Sequence, residues 1–296
     1  MGIEKFDCRN ERVTNIKADH KSRFRQTHSK IGRNRHLYTV SVFYYESMRK
    51  IVVTSGKGGV GKTTVTATLG RKLALHGYRV VLVDGDVGLN NLDVVAGIER
   101  RVVYDIGDVL SGRCRTFQAF VGDGESPMKI LPSSKDTALL TAQSFRGIID
   151  GLSEFDFVIV DCPAGIEQGF HRAVSACDEA IVVTTPSASA IRDADKVIRL
   201  LASYRLRDVS LVVNRVRPDM VRRGEMLGAS EIGSLLHVAP IGVIPEDDMI
   251  TLYQQLGAVP SGASSDRAFD ALAKNVADCS KAFFDVMQRR RFRRFR

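Results

Sequence analysis

A glycine-rich segment between an apolar run and a helix-forming stretch constrains the fold of this chain more than any other feature. The segment is Ser55–Thr64, which reads SGKGGVGKTT. The pattern Gly-x4-Gly-Lys-[Ser/Thr] is met by Gly56, Gly61, Lys62 and Thr63. In such a loop the glycines let backbone N–H groups surround phosphate oxygens, the lysine neutralises charge, and the hydroxyl reaches Mg²⁺. Because Ile51–Val53 precedes the segment and Val65–His76 follows it, we predict a strand, a phosphate-binding loop and a helix whose N-terminus faces the phosphates.

A second lysine, Lys57, lies near the start of the loop, where the general pattern requires none. A lysine this early would fold back poorly onto phosphates held by its own loop, but it could reach a nucleotide bound to a partner chain. The loop therefore predicts an ATPase that closes as a dimer. We expect the nucleotide to contact Gly56, Lys57, Gly58, Gly59, Val60, Gly61, Lys62, Thr63 and Thr64.

Short apolar runs recur along the chain, with helix-length stretches between most of them. The runs are Ile51–Val53, Val80–Val83, Lys129–Leu131, Phe157–Val160, Ala180–Val183, Leu211–Val213 and Ile241–Ile244. Runs that are apolar on both faces and separated by helices predict a parallel sheet covered on both sides. We therefore expect one α/β domain over residues 48–282, with a doubly wound, mostly parallel sheet.

The formal net charge of +9 is concentrated at the two ends of the 296-residue chain. Residues 1–47 carry +5 and the last eight residues contain six arginines, which leaves −2 for residues 48–288. The basic balance thus describes the ends, and we do not expect the body to bind nucleic acid. The five cysteines are widely spaced with no Cys-x-x-Cys pair, which is typical of reduced thiols in a cytosolic protein.

The basic extension over residues 1–47 follows neither helical nor strand periodicity for long. It ends at Met48, where the first predicted strand would begin. Two interpretations remain open: a partly disordered extension, or residues added by an upstream start assignment to a protein that begins at Met48. We favour the second.

Acidic residues follow two of the predicted strands. Val80–Val83 is followed by Asp84-Gly-Asp86, and Phe157–Val160 is followed by Asp161. Carboxyl ends of parallel strands converge on a phosphate loop, where acids can hold Mg²⁺ and a water molecule. We expect Asp86 to orient the attacking water, because neighbouring glycines let its loop change shape with the γ-phosphate, and Asp161 to lie in the Mg²⁺ shell.

Beyond the loop, the chain resembles the MinD family of septum site-determining ATPases. This family belongs to the deviant Walker A group, which also includes chromosome- and plasmid-partitioning ATPases. The further segments that carry the resemblance are Asp84–Leu92, Glu99–Asp105, Asp161–Gly165, Arg222–Leu227 and Ile241–Asp248. Of these, Glu99–Asp105 separates this family from flagellar-number and partitioning relatives best. The resemblance spans roughly residues 48–288 and fails over residues 1–47.

The resemblance assigns a role to each matched residue. It makes Lys57 the lysine that acts in trans and Lys62 the phosphate-loop lysine, and it implies ATP and Mg²⁺ as ligands. The implied Mg²⁺ site, partly through water, consists of Thr63, Asp86 and Asp161. Further nucleotide contacts are implied for Asn91, Asn214, Arg215 and Pro245, the last three near adenine.

The family also implies a C-terminal amphipathic helix that binds anionic membrane lipids. At about 100° per residue, one broad face of Phe283–Arg296 contains Phe284, Met287, Phe292 and Phe295. Arg291 and Arg294 interrupt this face. The alternative is a frayed, charged tail.

Taken together, the resemblance implies an ATPase that forms a homodimer with ATP, attaches peripherally to the inner face of the cell membrane, recruits the division inhibitor MinC, and returns to the cytoplasm after hydrolysis. Whether MinE or a DivIVA-type system positions it stays open. One alternative is a ParA-like partitioning or flagellar-number ATPase that uses its arginine tail on DNA or another partner. The other is a nucleotide-binding scaffold without hydrolysis.

Overall fold

A computed structural model describes residues 24–31, 38–45, 48–88, 91–134, 140–255 and 264–280 of the chain. The chain divides into two compact units, Met1–Ser47 and Met48–Arg296. In the first unit, strands β1 (Phe24–Ile31) and β2 (Tyr38–Tyr45) pair antiparallel. No regular element is predicted here from the sequence, although the β2 sequence YTVSVFYY is rich in the β-branched and aromatic residues that favour strands. The upstream-start interpretation stays a prediction.

The second unit is built on an eight-stranded sheet with the order β10-β9-β8-β3-β7-β4-β6-β5. Its strands are β3 (Arg49–Thr54), β4 (Val80–Asp84), β5 (Val121–Gly122), β6 (Lys129–Leu131), β7 (Phe157–Asp161), β8 (Glu179–Thr184), β9 (Asp208–Val216) and β10 (Pro240–Pro245). All neighbours are parallel except β5 and β6. Every predicted apolar run is a strand of this sheet, so the predicted doubly wound, mostly parallel architecture is confirmed. The edge strand β5 was not predicted, because two residues are too few to show a strand pattern.

Helices connect the strands and cover both faces of the sheet. They are α1 (Lys62–Leu75), α2 (Asn91–Ala96), α3 (Ile106–Leu110), α4 (Thr116–Ala119), α5 (Ala142–Asp150), α6 (Gln168–Ser175), α7 (Ala188–Leu201), α8 (Pro218–Arg222), α9 (Ala229–Leu236), α10 (Asp248–Gln255) and α11 (Ser264–Asp278), with a 3₁₀ turn at Glu99–Arg101. No helix among the described residues is long and apolar enough to cross a membrane.

The core consists of two apolar layers, because successive side chains of a strand point to opposite faces. In β4, Val80 and Leu82 pack with α1 and α11, whereas Val81 and Val83 pack with α5, α6 and α7 on the other face. Helix α1 buries Val65, Leu69 and Leu73 as its apolar spacing predicts, but Leu75 is 56% exposed. Leu75 thus lies on the solvent-facing side of α1, since its neighbours Leu73 and Ala74 are buried.

Strand register brings the predicted site residues to one edge of the sheet. β7 lies between β3 and β4, with Val53 opposite Asp161 on one side and Asp84 opposite Asp161 on the other. The phosphate-binding loop leaves β3 at this same carboxyl edge. The fold therefore places the loop and the acids of two strands side by side.

Candidate nucleotide site

The loop between β3 and α1 depends on glycine at three positions with different requirements. Gly59 and Gly61 have φ of 77° and 91°, the left-handed region that side chains rarely adopt. Gly56 is fixed by packing, because a Cβ there would lie 2.2 Å from the Asp193 carbonyl oxygen in α7. The loop is thus held against α7 while its end turns into the N-terminus of α1, where free N–H groups favour an anion.

Lys62 begins α1 and reaches the acid at the end of β7. Its Nζ lies 3.1 Å from Asp161 Oδ1, and the two side chains are 9% and 1% exposed. The Thr63 hydroxyl donates to Asp161 Oδ2 at 2.7 Å. The Thr66 hydroxyl lies 2.9 Å from Asp161 Oδ1 and 3.0 Å from the Lys62 carbonyl oxygen. Asp161 is therefore the point at which three side chains of α1 meet β7.

This cluster suits Mg²⁺ as well as phosphate. The Thr63 hydroxyl is partly exposed, and after donating to Asp161 its oxygen keeps lone pairs for a cation. Hydroxyl and carboxylate oxygens are the ligands that Mg²⁺ takes in proteins, usually with several water molecules. The predicted pairing of Thr63 with Asp161 around a cation is thus compatible with the geometry.

The acids after β4 have different surroundings. Asp84 is buried, and desolvation together with the charge of Asp161 raises its pKa to about 8. Asp86 is half-buried, and desolvation raises its pKa as well, while the charge of Lys62 partly offsets this effect. Asn91 lies near Asp86, with Nδ2 3.5 Å from Asp86 Oδ2. Asp86 is thus the more accessible of these two acids.

Lys57 does not join the cluster around Asp161. Its side chain is exposed, and Nζ donates to the Ser189 hydroxyl at 3.1 Å in the first turn of α7. Of the two lysines in the loop, Lys62 is thus buried against Asp161 and Lys57 is exposed. Contact of Lys57 with a partner chain stays a prediction.

Of the residues predicted near adenine, Asn214 and Arg215 lie in the last part of β9, and Pro245 is the last residue of β10, where it is paired with Val216. Asn214 is buried, and its Nδ2 donates to the Val60 carbonyl oxygen at 2.8 Å. This amide group therefore supports the phosphate-binding loop. Arg215 is exposed with φ of 57°. Contact of these residues with adenine stays a prediction.

The structure also identifies residues that were not chosen from the sequence. Thr66 contacts Asp161, Asp84 lies opposite Asp161 in the sheet, and Arg172 of α6 donates to the Gly85 carbonyl oxygen at 3.4 Å. Thr66 follows Lys62 by one helical turn, so its spacing could have been used to find it. Arg172 gave no such signal, because its position depends on how α6 packs. The proposed membrane residues Phe284, Met287, Phe292 and Phe295 lie outside the described residues.

Comparison with known proteins places this arrangement in a family. Residues 51–258 match the family described as "CobQ/CobB/MinD/ParA nucleotide binding domain". A putative septum site-determining protein MinD from Guillardia theta is 46% identical over 213 residues, which cover 71% of this chain and 79% of that protein.

Two solved structures are similar over most of the chain. A MinC:MinD cell division protein complex from Aquifex aeolicus has a TM-score of 0.72 at 39% identity, covering 80% of this chain and 98% of that one. A septum site-determining protein MinD complexed with Mg-ADP from Pyrococcus horikoshii has a TM-score of 0.71 at 31% identity, covering 78% and 97%.

Proposed function

The chain belongs to the CobQ/CobB/MinD/ParA nucleotide-binding family and is an ATPase of its MinD branch. We propose that it dimerises on binding ATP, attaches to the membrane as a dimer and controls where the division septum forms. The observation that carries this proposal is that the two lysines of one loop have different surroundings. Lys62 is buried against Asp161, whereas Lys57 is exposed and donates to Ser189 of α7.

Each residue around Asp161 has a distinct task in hydrolysis. Lys62, whose Nζ lies 3.1 Å from Asp161 Oδ1, would neutralise charge on the transferred phosphoryl group. Thr63 and Asp161 would hold Mg²⁺, with Asp86 contributing through water. When bound, the cation neutralises charge that develops between the β- and γ-phosphates. Asp86 accepts a hydrogen bond from the attacking water and orients it.

Lys57 completes the site of a partner chain. A cation supplied in trans at the transferred phosphoryl group can accelerate hydrolysis by about 10³–10⁵. Dimerisation would therefore precede hydrolysis. In the dimer each Lys57 would contact the γ-phosphate bound to the other chain, so loss of the γ-phosphate would remove this contact between the two chains. The homodimer is thus the ATP state of the protein.

The C-terminal segment Phe283–Arg296 attaches this dimer to anionic lipids. Each arginine near such a surface contributes ~1 kcal/mol, and a fully buried phenylalanine contributes roughly 1.5–3 kcal/mol. One copy binds weakly after the segment is ordered, but two copies in a dimer raise avidity by about 10²–10⁴. The protein would move between the cytoplasm and the inner face of the cell membrane with its nucleotide state.

MinC is the partner that we propose for the membrane-bound dimer. The support is the similarity to the MinD chain of the Aquifex aeolicus complex, which covers nearly all of that chain. The dimer would recruit MinC and keep division away from the sites it occupies. Either MinE or a DivIVA-type system would determine where in the cell the dimer assembles.

The proposal is tested by flotation with anionic liposomes in the presence of ATP and Mg²⁺. The full chain should float with ATP and not with ADP, and higher salt should reduce the floating fraction because it screens arginine–lipid attraction. A variant without Phe283–Arg296 should bind ATP but not float. Undiminished flotation of this variant would move the anchor elsewhere, with residues 1–47 the next candidate. Retention on DNA in preference to liposomes would favour a partitioning ATPase.

A further inference from the structure

Arg172 of α6 reaches the loop that carries Asp86. The helix begins at Gln168, shortly after β7 and Asp161. Gly169, one turn before Arg172, fixes the start of this helix against Pro163, because a Cβ at this glycine would lie 2.6 Å from Pro163 Cγ. Arg172 is only partly exposed.

The peptide group between Gly85 and Asp86 is held by a side chain at each of its polar atoms. Arg172 Nη2 donates to the Gly85 carbonyl oxygen of this peptide group at 3.4 Å. The Asp86 N–H of the same group donates to Asp84 Oδ1 at 2.9 Å. A peptide group is planar, so fixing both atoms fixes the direction in which the chain leaves toward the Asp86 side chain. The preceding N–H, that of Gly85, donates to the Asp161 carbonyl oxygen at 2.9 Å and ties the loop to β7.

Arg172 is placed there with few compensating contacts. Its Nη1 donates to the Leu140 carbonyl oxygen at 3.3 Å, and its Nε is buried with no hydrogen-bond partner among the described residues. A guanidinium group offers five donors, and burying them without good acceptors is unfavourable. Burial accordingly lowers the pKa of Arg172, and the nearby Asp86 carboxylate offsets part of this effect. A charge in such a setting is difficult to explain by stability alone.

We propose that Arg172 is a positioning residue for hydrolysis, which acts with Asp84 to hold the Gly85–Asp86 peptide group and thereby aims the Asp86 carboxylate. Arg172 also joins α6 to this loop, so a loop that moves when the γ-phosphate leaves changes its contact with α6. The inference rests on the proposed role of Asp86 in orienting water.

The experiment compares ATP turnover and nucleotide affinity of the full chain with those of Arg172→Met and Arg172→Lys. Methionine keeps much of the apolar stem and removes every donor. Arg146→Met on neighbouring α5 is the matched control, because Arg146 is 55% exposed and forms an ion pair with the exposed Asp150 at 3.6 Å. Misplacing a catalytic group by about 1 Å can slow turnover by 10²-fold. We therefore expect Arg172→Met to lower kcat by about 10- to 100-fold with KM and ADP affinity within about twofold, and Arg172→Lys to lie between it and the full chain.

A double variant separates positioning from a general structural role. If Arg172 acts through Asp86, adding Arg172→Met to Asp86→Ala should cause no further loss of kcat, because the group being aimed is already gone. A kcat for Arg172→Met within twofold of the full chain, or an additive loss in the double variant, would overturn the inference. If Arg172→Met melts at a lower temperature than the full chain, Arg172→Lys, which keeps the charge, takes its place. Its kcat, alone and combined with Asp86→Ala, is then judged by the same two criteria. If Asp86→Ala alone leaves turnover unchanged, the proposed role of Asp86 is wrong, and the inference about Arg172 is wrong with it. The single Asp86→Ala variant therefore distinguishes this failure from a failure of the role of Arg172 alone.

Discussion

Replacing Lys62 by alanine should weaken ATP binding strongly, whereas replacing Lys57 should leave it intact. Lys62 is buried, with Nζ 3.1 Å from a carboxylate that is 1% exposed. A charge-assisted hydrogen bond contributes about 1.5–3 kcal/mol, so losing one to phosphate should raise the ATP dissociation constant by about 10- to 100-fold. At working ATP concentrations the Lys62→Ala variant should therefore remain monomeric.

The same substitution should destabilise the free protein. Removing one partner of a buried ion pair costs about 3–5 kcal/mol when the other charge is left without compensation. Here the hydroxyl groups of Thr63 and Thr66 still donate to Asp161, so we expect the lower end of that range. In a domain of this size, that corresponds to a decrease of several degrees in Tm.

Lys57→Ala is the matched control within the same loop. Its Nζ is exposed and its partner is the surface hydroxyl of Ser189, so the free energy of unfolding should change by less than about 0.5 kcal/mol. The ATP dissociation constant should stay within about twofold, while kcat falls by about 10³ because the trans cation is lost. Fluorescent-nucleotide titration, gel filtration with ATP and phosphate release measure these quantities. Equal losses of ATP affinity in both variants would refute the reasoning, since Lys57 would then serve its own loop.

Three further predictions concern the switch loop, the extension and pH. Asp86→Ala should bind ATP, hydrolyse it slowly and accumulate as a dimer on liposomes; a monomer that never floats would move Asp86 to nucleotide binding or dimer assembly. A chain beginning at Met48 should melt within a few degrees of the full chain and turn over ATP at the same rate; a large drop in Tm would show that residues 1–47 stabilise the ATPase domain. Between about pH 4 and pH 8, folded nucleotide-free protein holds a proton on Asp84 that the unfolded chain releases, because the pKa of Asp84 is raised to about 8. The free energy of unfolding should therefore fall as pH rises to 8. Asp84→Asn should make the decrease of Tm with pH less steep. If the dependence of Tm on pH is the same in both proteins, Asp84 is ionised throughout this range.

The sequence was most informative where a chemical requirement and a chain pattern coincide. Gly61 must be glycine for its positive φ, and the loop containing it lies between an apolar run and a helix, so the strand, loop and helix could be predicted together. The sheet followed from apolar runs that are buried on both faces. Asp161 was predictable because parallel strands end at one edge.

Features that depend on packing between distant segments were less accessible. Asn214 has its amide bonded to Val60, which is 154 residues earlier in the chain, and no local pattern indicates this partner. Arg172 reaches Gly85 because α6 packs against the loop that follows β4. The pKa of Asp84 reflects its register opposite Asp161, which appears only once the strands are paired. Such residues are found from tertiary contacts rather than from spacing.

The claim that Lys57 acts on the nucleotide of a partner is tested most directly by mixing two inactive variants. In a heterodimer of Lys57→Ala and Asp86→Ala, the site on the Lys57→Ala chain keeps its own Asp86 and receives Lys57 from its partner. The other site lacks both groups. Random pairing of equal amounts in a two-fold dimer should restore about a quarter of the full turnover, although each variant alone is nearly inactive. Turnover in the mixture that equals the average of the separate variants would contradict action in trans.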